Sequence, residues 1–81
     1  MEKRIAILGI IVEDMDSAPA VNDLLHRYRE HIVGRMGMPY RERELSVISV
    51  VMDADNSVIS ALTGKLGMIA GVTAKAVYSK K

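Results

Sequence analysis

Cysteine is absent from this 81-residue chain. No disulfide can staple the fold, and no thiolate can hold a metal ion. A strong charge of either sign is also missing: 11 basic and 10 acidic side chains leave a net charge of +1. Nothing therefore drives the molecule as a whole toward DNA, RNA or an anionic membrane. The longest apolar stretch, near the start, is interrupted by Glu13 and Asp14. It falls far short of the ~20 residues that span a bilayer. Met1-Glu2-Lys3-Arg4 ahead of so short a run does not make a signal peptide. There is no low-complexity segment, and Ser79-Lys80-Lys81 reads as a frayed end. The lack of cysteine suits a reducing compartment, so a cytoplasmic location is the expectation.

What is present is ample apolar material, 49% of the residues. A chain of this length is one small domain, residues 1–81, that buries only about 60–65% of its unfolded surface. Small domains without staples commonly associate to bury more. Residues 4–13 (RIAILGIIVE) read as a strand and residues 17–30 as a helix. Strands near 31–38 and 45–53, a helix near 56–66 and a strand at 72–78 follow. That order, βαββαβ, is the α+β ferredoxin-like sandwich: a four-stranded antiparallel sheet with two helices on one face. The expected sheet order is 4-1-3-2. Ile5 to Val12 is continuously apolar around Gly9, as in a central strand covered on both faces. Gly9 suggests close packing or a bulge. Two helices cover only one face, so a second subunit is the simplest cover for the other. Val47 and Val51 repeat the argument on the third strand.

Asp16 or Ser17 is suited to cap the first helix, with Pro19 in its first turn. Ala18, Val21, Leu24, Leu25 and Tyr28 form its apolar stripe. Asp55, Asn56 or Ser57 is suited to cap the second helix, whose stripe is Val58, Ile59, Leu62 and Leu66. Gly67 is its expected stop and Gly71 the turn into the last strand.

Three places bear on chemistry. Glu13, Asp14 and Asp16 at the first strand-to-helix junction suit a ligand amine or a hard cation, or simply a helix start favoured by negative charge. The segment from Gly34 to Arg41 is the least ordinary. Gly34 and Gly37 allow close approach by another backbone or a ligand. Arg35 and Arg41 can clamp a carboxylate or phosphate, with Tyr40 as a wall. The plainer alternative is a charged, twisted edge strand whose arginines pair with Glu42 and Glu44. His26 and His31, the only histidines, would not share a helix face, and a transition-metal site needs three or four converging ligands. Thr63-Gly64-Lys65 lacks phosphate-loop spacing and ends a helix instead of opening one. Gly64 is expected to let that helix sit close to the sheet. No nucleophile–base constellation is visible. Neither a catalytic residue nor a metal or other cofactor is implied.

RIAILGIIVED, NDLLHRYREHIVGRMGMPYRE and ISALTGKLGMIAGVTAKAVYSK together resemble a family of small bacterial proteins described as regulators of the iron-only hydrogenase system. IVGRMGMPYRE and ALTGKLG are the specific segments, and the match covers nearly the whole chain. The resemblance implies an ACT-like domain related in fold to the ligand-binding C-terminal domain of the nickel-responsive repressor. It transfers neither that repressor's metal ligands nor its ribbon-helix-helix DNA-binding segment. It implies an oligomeric regulatory unit, at least a dimer. The expected partner is a small anionic ligand or another protein, with Asp14, Asp16, Gly34, Arg35, Gly37, Tyr40 and Arg41 as candidate ligand-binding residues near a subunit boundary. ACT-like effector loops contain glycine where this chain has Glu13-Asp14-Met15-Asp16, which argues against amino-acid sensing. The competing readings are a nucleic-acid-binding transcriptional regulator using Arg35, Arg41 and Arg43, and an accessory subunit of an enzyme.

Overall fold

The computed structural model describes residues 3–80. Four strands, β1 (Lys3–Val12), β2 (Ile32–Tyr40), β3 (Leu45–Asp55) and β4 (Val72–Tyr78), form one antiparallel sheet in the order β2-β3-β1-β4. This is the expected 4-1-3-2 order. Helices α1 (Ala18–Arg27) and α2 (Asn56–Gly67) supply the second layer. The fold is the expected α+β sandwich of a four-stranded antiparallel sheet and two helices.

Alternation in β1 builds the core. Ala6, Leu8, Ile10 and Val12 are buried, as are Ile48, Val50 and Met52 beside them on β3. Val21 and Leu25 of α1 and Ile59, Leu62 and Leu66 of α2 close over them. Leu24, Tyr28 and Val58 pack at the margin, so both helix stripes lie as the 3.6-residue period requires. Lys65 bridges the helices by donating to the Tyr28 hydroxyl at 3.0 Å.

The element ends differ from expectation for physical reasons. The first helical stretch is split: a 3-10 turn (Met15–Ser17) precedes α1 and another (Arg29–His31) follows it, because Tyr28 leaves the helical region at φ −101° and ψ 12°. Ser17 does not cap α1 with its side chain. Its hydroxyl donates to the Ala70 carbonyl at 2.7 Å, and Asp14 caps the 3-10 turn by accepting from the Asp16 N–H at 3.0 Å. Asp55 is N-terminal to α2 without a side-chain cap. β2 runs on through Pro39; as an edge strand it tolerates the missing N–H. A register shift between Ile32 and Gly34 bulges out Val33. Glu44 closes the β2–β3 hairpin in the left-handed region at φ 55°. α2 does stop at Gly67, its last residue, while the left-handed conformation falls on Gly71 at φ 71°. Gly9 shows neither bulge nor close packing, since β1 pairs without interruption and space is open where its Cβ would stand. Gly64 is likewise exposed over open space and brings nothing closer. Ser79 is not frayed: its N–H donates to the Ile5 carbonyl at 2.8 Å and its hydroxyl accepts from the Ile5 N–H at 3.3 Å. Met1, Glu2 and Lys81 lie outside the described residues.

The other sheet face has no helix. Cross-strand pairing sets its side chains in rows. The middle row reads Met36, Ser49, Gly9, Lys75 from β2 to β4. On one side lies Met38, Val47, Ile11, Thr73, and on the other Gly34, Val51, Ile7, Val77. Ile7 is 47% exposed and Met36 72%, against 0% for Leu8 on the helix side.

Candidate functional site

Two of the three chemically suggestive segments converge. β1 ends beside the β2–β3 hairpin, so Glu13, Asp14 and Met15 face Pro39, Arg41, Glu44 and Leu45 across a cleft of about 570 Å3. The junction half of this cleft is braced from behind by the loop that leads from α2 into β4. Glu13 donates its N–H to the Gly71 carbonyl at 2.7 Å, and Ser17 reaches Ala70 as described. Gly71 is required here on two counts. Its φ is positive, and a Cβ would stand 2.6 Å from the Asp14 Cβ. The Ser46 hydroxyl of β3 lies 3.9 Å from the Met15 sulfur.

The cleft carries three carboxylates, Glu13, Asp14 and Glu44, against one guanidinium, Arg41. That balance favours a ligand with a cationic group. No ion pair joins Arg41 or Arg43 to Glu42 or Glu44; among the described residues the ion pair found is Arg27–Asp23 at 3.1 Å, on the exposed side of α1. The expected arginine–glutamate pairing of the edge is therefore not made.

A second, smaller groove of about 270 Å3 runs between α1 and β2. Val12, Val21 and Ile48 form its apolar floor. Arg35 spans it, donating to the Asn22 side-chain oxygen at 2.9 Å. Gly37 lines it, and Pro39 belongs to both clefts.

The candidate residues thus divide. Asp14 and Arg41 share the larger cleft, and Arg35 and Gly37 the smaller groove. Gly34 and Tyr40 fall on the open sheet face by register, opposite Val51 and Leu45, so Tyr40 does not stand as a wall between the two arginines. Asp16 is exposed on its 3-10 turn and lines neither cleft. Sequence reasoning missed Asn22, Met15 and Leu45. Only Asn22 had a legible sign, a polar residue directly beside Val21 of the apolar stripe. His26 is exposed, and the His31 ring sits 6.5 Å from that of Tyr28. Among the described residues no group of three or more histidine, aspartate or glutamate side chains converges as a metal site would require. No helix among them is long and apolar enough to cross a membrane.

A family model described as "TM1266-like: Iron-only hydrogenase system regulator, putative" matches residues 4–76. The chain belongs to the TM1266-like family. Among solved structures, the uncharacterized protein TM1266 from Thermotoga maritima is 49% identical; the match covers 98% of this chain and 100% of that one, with a TM-score of 0.92. No curated protein matches the chain. The TM1266-like match spans every residue that lines the two clefts.

Proposed function

We propose that this TM1266-like chain is a noncatalytic regulatory module of the iron-only hydrogenase system that works as a homo-oligomer and senses a small molecule in the cleft between the β1–α1 junction and the β2–β3 hairpin. The observation that carries the reading is the meeting of Asp14 and Arg41, from segments 27 residues apart, across one concave space. Concave sites with a few converging polar groups on an apolar wall suit small ligands. Met15, Pro39 and Leu45 supply that wall. The excess of carboxylates selects a ligand bearing an amine or similar cation, with Arg41 available for an anionic end. A purely anionic ligand fits the Arg35 groove better, and there Asn22 already occupies part of the guanidinium fork. A nucleic-acid surface is disfavoured, because Arg35 and Arg41 line different clefts and Arg41 shares its own with three carboxylates.

The test is a thermal-shift screen of amines, amino acids, carboxylates, phosphates and nucleotides on wild type, Arg41→Ala and Arg35→Ala. A ligand at 100 times its dissociation constant stabilises the native state by about 2.7 kcal/mol. Arg41→Ala is expected to lose the shift and Arg35→Ala to keep it. The reverse pattern moves the site to the α1–β2 groove. No shift with any class defeats the sensing role.

A further inference from the structure

We infer that the open sheet face is the contact between two copies of this chain, stacked sheet on sheet about a two-fold axis that runs parallel to the strands between β1 and β3. The inference deepens the oligomeric part of the proposed function and rests on it.

The surface is apolar where it should be wet. Its two flanking rows hold Met38, Val47 and Ile11 on one side and Val51, Ile7 and Val77 on the other. Across the three central rows Lys75 is the single charge. Apolar rows of this extent on an antiparallel sheet are the inner face of a two-sheet sandwich. This chain supplies only one sheet among its described residues, so a second copy supplies the other.

The area suffices. Over their whole length of about 30 Å, four strands about 4.8 Å apart give roughly 550 Å2 of face in projection, its apolar centre bounded at one end by a polar rim with Asp53 beside Ile5 and Lys3 beside Asp55. Two such faces bury about 1,100 Å2, which clears the roughly 1,000 Å2 expected of a specific interface. Side-chain relief adds to that figure.

Charge selects the axis. A two-fold across the strands would place every middle-row residue over its own counterpart, so Lys75 would meet the partner's Lys75 inside an apolar contact. A two-fold along the strands lays β1 over the partner's β3 and β4 over the partner's β2. Lys75 then lies over the partner's Met36, its methylene stem on the thioether and its ammonium past the β2 edge in water. At the centre Gly9 faces the partner's Ser49. Nothing stands within 4 Å of the Gly9 Cβ position, so the small pair lets the sheets close to the usual spacing of about 10 Å. The same axis puts both ligand clefts at one end of the dimer. Leu45 belongs to the cleft and, by register, to the open face, so the cleft opens at the rim of the contact.

The chain has no cysteine, so single introduced cysteines report cleanly. Tag-free wild type is run in sedimentation velocity at micromolar concentration beside Val51→Asp and Ile7→Asp, with Met68→Asp as an exposed control in the loop after α2. Wild type and Met68→Asp are expected as dimers or multiples of dimers; the two sheet variants are expected to lose half the sedimenting mass with an unchanged circular dichroism spectrum. For the axis, Lys75→Cys and Met36→Cys proteins are mixed one to one and treated with a short bis-maleimide. A 36–75 link is expected. A 75–75 link overturns the strand-parallel axis and needs no aspartate variant to fold. A monomeric wild type overturns the whole inference, and if it still shifts with a cleft ligand the sensing role stands without it. Dimers with no ligand response support the stack while removing the sensing role.

Discussion

The two faces of the sheet are chemically alike and physically opposite. Along β1, Leu8 and Ile10 point to one face and Ile7 and Ile11 to the other, all large and aliphatic. The first pair is fully buried, while Ile7 and Ile11 are more than 40% exposed. Side-chain chemistry does not make this difference. It comes from where α1 and α2 lie, and both crossovers place their helix on one side of the sheet. An apolar row is therefore evidence of a need for cover, not of cover.

The sharpest way to break the comparison is to truncate neighbours across the strand. Leu8→Ala is expected to cost about 2–5 kcal/mol in urea unfolding, because it opens a cavity in a closed core. Ile7→Ala in dilute protein is expected to cost less than about 0.5 kcal/mol, as exposed sites usually do. If the faces stack as inferred, the cost of Ile7→Ala grows with protein concentration and that of Leu8→Ala does not. Equal costs in dilute solution would erase the distinction between the faces.

A second pair compares glycines. Gly71→Ala forces a side chain into the left-handed region, at about 1–2 kcal/mol, and against the Asp14 Cβ as well, so the urea midpoint falls clearly. Gly9→Ala meets open space in one chain and is expected to raise monomer stability by up to about 0.5–1 kcal/mol. On the open face its added methyl would also hold the stacked sheets apart, so sedimentation should show weaker association while the melting of dilute protein improves.

Ser17→Ala tests the brace behind the cleft. Loss of the hydroxyl leaves the Ala70 carbonyl without that donor, at about 1 kcal/mol, measured by chemical denaturation. The smallest effect is expected on the helix surface: Asp23→Ala removes the exposed ion pair with Arg27 and should change stability by less than about 0.5 kcal/mol. A larger loss there would mean that the outer surface of α1 is itself covered.

The smaller features show where reading from sequence stops. A continuous apolar run placed β1, and the period-2 and period-3.6 patterns placed β3, β4 and both apolar helix stripes, because those patterns are consequences of backbone geometry. The ends of α1 and β2 were not legible. A 3-10 turn and an α-helical turn share most of their residue preferences, and Pro39 is excluded from a strand only if its N–H is needed. Ser17 looked like a cap because serine caps helices; its hydroxyl found Ala70, 53 residues away, instead. The same distance hid the site. Asp14 and Arg41 were each conspicuous, but whether Arg41 joined Asp14 or Arg35 depended on which way the hairpin turned.

The sequence by itself determined the element order, the sheet order that right-handed crossovers permit, and the presence of two apolar sheet faces, because each follows from local periodicity and chain connectivity. Tertiary structure alone decided which face the helices cover, which arginine meets the carboxylates of the β1–α1 junction, and which glycine must be glycine. Those outcomes depend on distances between residues far apart in the chain, and they exist only once the sheet has closed and Gly71 has come to rest against Asp14.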